Sequence, residues 1–314
     1  MNKFPLLFIL LLLGCKNESS EKNVASIIVG NDSELKYEEY FNGSAAGELM
    51  NVQSITKSII SILIGQAIDE GIVQNERITL GNYFPDISTD KKSITIEHLL
   101  NHTSGIQWEG FLEHEKFLKS KNPTDYVLAK KIENEPDMIY NYNSGGTHLL
   151  SAILTKASGR STLEYAQEKL FTPLGINKVT WGKLNDGVYD GAGFSLEMLP
   201  KDLIKIGSIF LKESNNTEKL ISNNWLQKMT SQDLKKETKW GVKNSKHGYG
   251  WYSSYDKNQK ILYSMGYGGQ FIFVLPDKEL VIVSTHEHDT PRGIEQQVDF
   301  LKETFPELLE KYGS

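Results

Sequence analysis

Residues Asn51 to Gly71 constrain the fold more than any other stretch of the chain. Isoleucine or leucine stands at 55, 59, 60, 62, 63, 64 and 68. At helical spacing these positions cover almost every face, and a helix that is apolar nearly all round belongs in a core. Gly71 supplies a stop. The first turn nevertheless carries Ser54 and Lys57, three residues apart, which stacks them on one face. A serine hydroxyl is a weak nucleophile until a base takes its proton, and a partly desolvated lysine one turn away can be that base. The helix start adds free backbone N–H groups and a positive dipole end, which favour a developing oxyanion. By itself Ser-x-x-Lys is a weak signal. Taken alone, the stronger reading makes Ser54 a helix cap and Lys57 a solvated first-turn residue.

With 314 residues, 39% of them hydrophobic, the chain can bury a sizeable core as one large domain or two small ones. Its net charge of −6 is mild and no basic stripe appears, which argues against nucleic acid as a partner. The start of the chain reads as a targeting segment. Lys3 precedes an apolar run from Phe4 to Leu13 that is too short to span a bilayer. The run ends Leu12-Leu13-Gly14-Cys15, which resembles the lipobox of bacterial lipoproteins, where the cysteine is lipidated and becomes the mature first residue. An ordinary signal peptide with an incidental cysteine is the alternative. Cys15 is the only cysteine, so no disulfide forms within one chain. Residues 1–14 are thus expected as a lipoprotein signal peptide, 15–24 as a tether and 25–314 as the folded domain. The expected location is the bacterial cell envelope, lipid-anchored to a membrane outside the cytoplasm.

Strand-like runs occur at Ala25 to Gly30 and Lys36 to Phe41, and again at Gly248 to Ser254, Lys260 to Ser264, Gln270 to Leu275 and Leu280 to Thr285. Ile78 to Pro85 reads as a loop. Ile94 to Gly105 reads as a short helix with a polar exit, and His98 and His102 as surface and helix-end residues. Helical patterns follow at Asp125 to Asn134, Gly146 to Ala157, Ser161 to Leu170, Leu199 to Glu213, Asn223 to Met229 and Arg292 to Glu310. Strands at both ends with helices between them predict an α+β fold. One antiparallel sheet is built from the N- and C-terminal strands, flanked by helices, with a large helical region inserted.

Three stretches carry candidate chemistry. The first is Ser54-Ile-Thr-Lys57. The second is Tyr140-Asn-Tyr-Asn-Ser-Gly-Gly146, where a tyrosine in a polar turn can shuttle a proton beside a lysine. The third is Ser264-Met-Gly-Tyr-Gly-Gly-Gln270, whose glycines let backbone approach a substrate and offer an N–H to an oxyanion. Each also has a structural explanation, as a cap, a packed loop tyrosine or a hairpin turn. Their order resembles the serine β-lactamase and penicillin-binding-protein superfamily. More closely it resembles the class C-like branch of esterases, D-aminopeptidases and 6-aminohexanoate-dimer hydrolases. Secondary stretches fit that branch too: Thr-Ile-x-x-Leu-Leu-x-His-Thr-Ser-Gly ending at Gly105, Phe171 to Ile176, Asp202 to Gly207 and Gly248-Tyr-Gly-Trp251.

The resemblance implies a β-lactamase/transpeptidase-like serine hydrolase that forms an acyl-enzyme on a small-molecule ester, amide or peptide and needs no metal or other cofactor. It makes Ser54 the nucleophile, Lys57 its base or proton partner and Tyr142 the second base. Tyr140 is the rival for that last role. Tyr142 is preferred because the branch shows paired leucines seven and eight positions on, where Leu149 and Leu150 stand. Ser144, Gly266, Tyr267 and Gly268 are the implied oxyanion and substrate residues. Two departures matter. Ser144 stands where many β-lactamases have asparagine, and Met265-Gly266-Tyr267-Gly268 replaces Lys-Thr-Gly. A cation in that third motif would recognise a substrate carboxylate, so its absence favours neutral esters or amides over β-lactams and peptidoglycan carboxylates. β-Lactamase or D,D-carboxypeptidase activity, and a non-catalytic ligand sensor, are the alternatives. A metal hydrolase is a further rival, because Thr285-His-Glu-His-Asp-Thr290 follows an apolar strand. It matches a metallo-β-lactamase pattern poorly, and a solvated loop is the competing reading.

Overall fold

The computed structural model describes residues 23–212, 220–231, 236–237, 241–288 and 292–313. Cys15 and residues 1–14, expected as a signal peptide, lie outside them. Eight antiparallel strands form one sheet: β1 (Val24–Gly30), β2 (Leu35–Tyr40), β6 (Lys236–Glu237), β7 (Lys246–Gly248), β8 (Trp251–Asp256), β9 (Gln259–Gly266), β10 (Gln270–Leu275) and β11 (Leu280–His286). Their order is β2-β1-β11-β10-β9-β8-β7-β6, so the N-terminal hairpin docks on the last strand. The fold is the α+β architecture that the strand and helix order predicts. Val24 lies fully buried in β1.

Strand pleating sends alternate residues to opposite faces. Phe271, Phe273 and Leu275 of β10 join Ile282 of β11, Ile27 and Val29 of β1, and Phe300, Phe305 and Leu308 from the C-terminal helices. Ile272 and Val274 point the other way, into the larger core around helix α1 (Ile55–Asp69). The sheet is therefore covered on both faces.

Helix α1 is buried from Ile55 to Ala67. Isoleucine is a mediocre helix former, costing up to about 0.7 kcal/mol per residue against alanine. Each fully buried isoleucine or leucine returns about 1.5–3 kcal/mol, so burial decides the outcome. Most buried polar side chains of α1 find backbone carbonyls, although Gln66 Oε1 has no partner among the described residues. Thr56 donates to the Gln53 carbonyl at 2.7 Å and Ser58 to the Gly250 carbonyl at 2.6 Å. Ser61 donates to the Tyr249 carbonyl at 2.5 Å, and Gln66 to the carbonyls of Lys169 and Leu220 at 2.8 and 2.9 Å.

A second, three-stranded sheet positions the start of α1. In it β3 (Met50–Asn51) pairs with β5 (Leu196–Met198), which pairs with β4 (Val179–Trp181). Two- and three-residue strands leave no readable periodicity, and the sequence pattern did not predict them. Elsewhere the structure trims or divides the expected elements. The expected 248–254 strand is split, because Tyr249 and Gly250 both have positive φ. The segment expected as a loop at Ile78 to Pro85 holds a short helix, Leu80–Tyr83. The Asp125 helix is Pro123–Leu128, and the closing helix relaxes into a π turn at Phe300–Thr304 before Phe305–Tyr312.

Candidate active site

Ser54 occupies the N-cap position of α1, yet its side chain makes no capping bond. Its Oγ is instead 2.9 Å from Lys57 Nζ. The backbone around it is held in an uncommon shape. Gln53 has φ of +50°, and its own N–H and side chain both donate to Asn51 Oδ1 at 2.9 and 3.1 Å. Such strain persists only where surrounding structure fixes it. The following N–H groups are used: Ile55 donates to Val52 O, Thr56 to Gln53 O and Lys57 to Ser54 O.

Lys57 is 3% exposed. Besides Ser54 Oγ, its Nζ donates to the Ala192 carbonyl, and it sits 5.0 Å from the Tyr142 ring centroid. The Ala192 carbonyl is itself aimed by Asp190. That carboxylate accepts from the backbone N–H groups of Ala192, Gly193, Phe194 and Ser195, and from the Ser195 hydroxyl. The same loop reaches back to the Ser54 turn. Asn51 Nδ2 donates to Phe194 O at 2.8 Å, and a Cβ on Gly193 would stand 3.0 Å from Ser54 Cα.

Of the two candidate tyrosines, Tyr142 lies against Lys57. Tyr140 packs on His247, with ring centroids 5.5 Å apart, and edge-on to His102 at 6.0 Å. Burial, then the neighbouring Tyr142, holds the Tyr140 phenol above its ordinary pKa, which keeps it protonated and unsuited to the role of base. The loop carrying Tyr142 is clamped by His102. The His102 carbonyl accepts from Asn141 N–H at 2.9 Å, its Nδ1 accepts from Asn143 N–H at 3.2 Å, and its ring lies 4.5 Å from Tyr142. His102, read with His98 as surface and helix-end residues, does stand at the helix exit, but it is buried there, with φ of +55°. An accepting Nδ1 places the imidazole proton on Nε2. Burial, then His247, then Lys57, keeps the His102 imidazole well below its usual pKa. His247 stacks on it at 5.0 Å and is lowered to about 3 by burial and then Lys57.

The third motif is the β9–β10 hairpin, with Gly266 opposite Gln270 and positive φ at Gly268 and Gly269. It is a turn, and it is also adjacent to Ser54: a Cβ on Gly266 would stand 2.5 Å from Val52 O and 2.9 Å from Gln53 Cβ. Gly268 packs against His288, and its carbonyl accepts from Gln296 Nε2 at 2.6 Å. The Tyr267 ring packs over Gly293. Ser144, expected at the substrate, is fully buried at the start of the helix Ser144–Ser158. Its hydroxyl lies 3.4 Å from His114 Nε2.

The family model described as Beta-lactamase matches residues 17–298. The chain belongs to the β-lactamase family. A 6-aminohexanoate-dimer hydrolase homologue from Bacillus anthracis superposes with a TM-score of 0.76 over 94% of this chain and 81% of its own, at 17% identity. A D-amino acid amidase from Ochrobactrum anthropi SV3 gives 0.68 over 90% and 95%, at 16% identity. At those identities the likeness establishes the fold. Among curated sequences, penicillin-binding protein 4* of Bacillus subtilis (strain 168) is 31% identical over 94 residues, 28% of this chain and 21% of its own. The matches span between 21% and 36% of the length of these curated relatives.

In this β-lactamase-family chain, Asp190 and Ala192 carry no recognisable motif, since one acts through backbone N–H groups and the other through a carbonyl. His114 lies on a helix, Phe111–Lys119, that the sequence pattern did not predict. Its pKa is lowered to about 4 by burial and then by Lys57. The rival metal motif divides: His286 is buried in β11, contrary to a solvated loop, and Asp289 lies outside the described residues. Among the described residues, no three His, Cys, Asp or Glu side chains come together as a metal site. A surface cavity of about 620 Å³ lined by Tyr83, Phe84, Lys91 and Lys156 shares no residue with the Ser54 cluster.

Proposed function

We propose that this chain is a serine hydrolase that cleaves a neutral ester or amide through an acyl-enzyme on Ser54. The observation that carries this reading is the 2.9 Å contact between Ser54 Oγ and buried Lys57 Nζ, made in place of a helix cap. The Ser54 Oγ–H proton passes to the Lys57–Tyr142 pair as Oγ bonds to the substrate carbonyl carbon. The oxyanion then lies between the Ser54 N–H and an N–H of the Gly266–Gly268 segment. Collapse breaks the bond to the leaving group, which takes the proton from the same pair. Water, deprotonated by that pair, attacks the acyl carbon and frees Ser54. No cationic side chain stands in the third motif, which supports uncharged substrates over β-lactams or D-Ala carboxylates. We further propose that Cys15 is lipidated and holds the domain at a membrane surface in the cell envelope.

The test is covalent. The full chain in detergent, and the same chain with Ser54→Ala, are treated with a fluorophosphonate and weighed intact. One adduct on the parent and none on the variant supports an activated Ser54. No adduct on folded parent protein overturns the mechanism and favours a ligand sensor.

A further inference from the structure

Four aromatic rings form a continuous chain beside Ser54. Phe194 meets His114 at 4.8 Å, His114 meets Phe111 at 5.3 Å, and Phe111 meets Tyr267 at 5.7 Å, each edge to face. Each end follows a glycine that packs against the Ser54 turn. Phe194 follows Gly193, which has room only for hydrogen beside Ser54 Cα. Tyr267 follows Gly266, which is equally tight against Val52 and Gln53. The rings therefore arch between two glycines that both pack against the Ser54 turn. The middle of the arch comes from the helix Phe111–Lys119, where Phe111 is 59% and Leu112 76% exposed. Met138 and Ile139 are also exposed, on a segment joined to this one by the Asn141 side chain donating to the Trp108 carbonyl. Thus four of the six large apolar side chains exposed among the described residues lie on these two joined segments, and Phe111 belongs to the ring chain itself. Apolar surface concentrated beside a reactive group marks a binding surface.

We propose that this arch receives the acyl group of the substrate, and that the acyl group is uncharged and apolar, aryl or alkyl, with Phe111 as its principal contact. The inference rests on the serine-hydrolase reading. The leaving group must face Lys57 and Tyr142 to recover its proton, which assigns the arch to the acyl side. The arch itself offers no cation to an acyl carboxylate. His114, its one titratable ring besides the Tyr267 phenol, is kept neutral at pH 7 by burial and by Lys57.

The experiment compares p-nitrophenyl esters with acetyl, 3-phenylpropanoyl and glutaryl groups, which share one leaving group. Each kcat/KM is normalised to that ester's rate with hydroxide. The expected order places the 3-phenylpropanoyl ester roughly tenfold or more above both others, the scale of a filled apolar pocket. Phe111→Ala should lower the 3-phenylpropanoyl-to-acetyl ratio about tenfold, and Phe111→Arg should raise the relative turnover of the glutaryl ester. A glutaryl ester turned over as well as the aryl one, or a Phe111→Ala variant with an unchanged ratio, overturns the proposal. Phe111 is at the surface, so its variants should fold. Fluorophosphonate labelling separates the two levels: labelled protein with a flat acyl profile defeats the arch alone, while unlabelled parent defeats the hydrolase reading beneath it.

Discussion

Asp190 fixes Lys57 without touching it. The Asp190 carboxylate gathers four consecutive backbone N–H groups, beginning with Ala192 at 2.8 Å, and so aims the Ala192 carbonyl at Lys57 Nζ. Hydrogen bonds to a buried charge are each worth about 1.5–3 kcal/mol, and donors left unsatisfied cost a similar amount. An amide cannot replace this carboxylate, because its NH₂ would face donors. Asp190→Asn is expected to lose about 2–4 kcal/mol in urea unfolding and to lower ester turnover at least tenfold. Unchanged turnover would show that Lys57 does not depend on the loop.

The two tyrosines of the second motif should separate cleanly. Tyr142→Phe removes the phenol beside Lys57 and is expected to cut kcat by about 10²–10⁴. Tyr140→Phe removes a buried hydroxyl that faces the Tyr252 phenol and lies away from Lys57. It should alter kcat by only a few-fold and stability by no more than about 1 kcal/mol. Steady-state kinetics on both variants with one ester decides the assignment, and a larger loss in Tyr140→Phe would reverse it.

What the sequence revealed and concealed has a physical pattern. The all-round isoleucine and leucine of α1 announced a buried helix because burial dominates a weak propensity. Strand periodicity at both termini announced the sheet. Tyr142 was preferred to Tyr140 only through the family resemblance, by the paired leucines 149 and 150, which are fully buried on the helix that follows. The burial of His102 was missed because spacing from His98 says nothing about a positive φ at that position. Ala192 could not be found, since any residue supplies a carbonyl. Asp190 is one of many aspartates until the loop it organises is folded.

Gly266 tests how closely the third motif must approach Ser54. Its missing side chain is what lets β9 reach the Val52–Gln53 backbone: an added Cβ would meet Val52 O at 2.5 Å. Backbone cannot yield as a flexible side chain would. Gly266→Ala should therefore destabilise by about 1–3 kcal/mol and displace the Ser54 turn. Displacements near 1 Å at a reacting centre cost about 10² in rate. The expected result is a loss in kcat much larger than the change in KM. If turnover survives while the melting temperature falls, the contact is one of packing only.

Buried neutral histidines should make the fold sensitive to mild acid. His247 is lowered from 6.5 to about 3 by burial and then Lys57, and His286 to about 4, mainly by burial. His102 is lowered in the same direction, and Tyr140 and Tyr252 pack beside His247. Between these folded values and 6.5 the unfolded chain binds more protons than the folded one, so stability rises with pH across that window. It is complete above about pH 6.5 and falls as the pH drops below it, by about 1.4 kcal/mol per unit for each such histidine. At pH 5 each of His247 and His286 should have cost about 2 kcal/mol, well before carboxylate titration dominates. Urea unfolding at pH 5.0 and 7.5 should show this loss, and His247→Asn should reduce the slope by about one proton's worth. A stability that is flat over that range would mean that these imidazoles are charged, or solvated, in the folded protein.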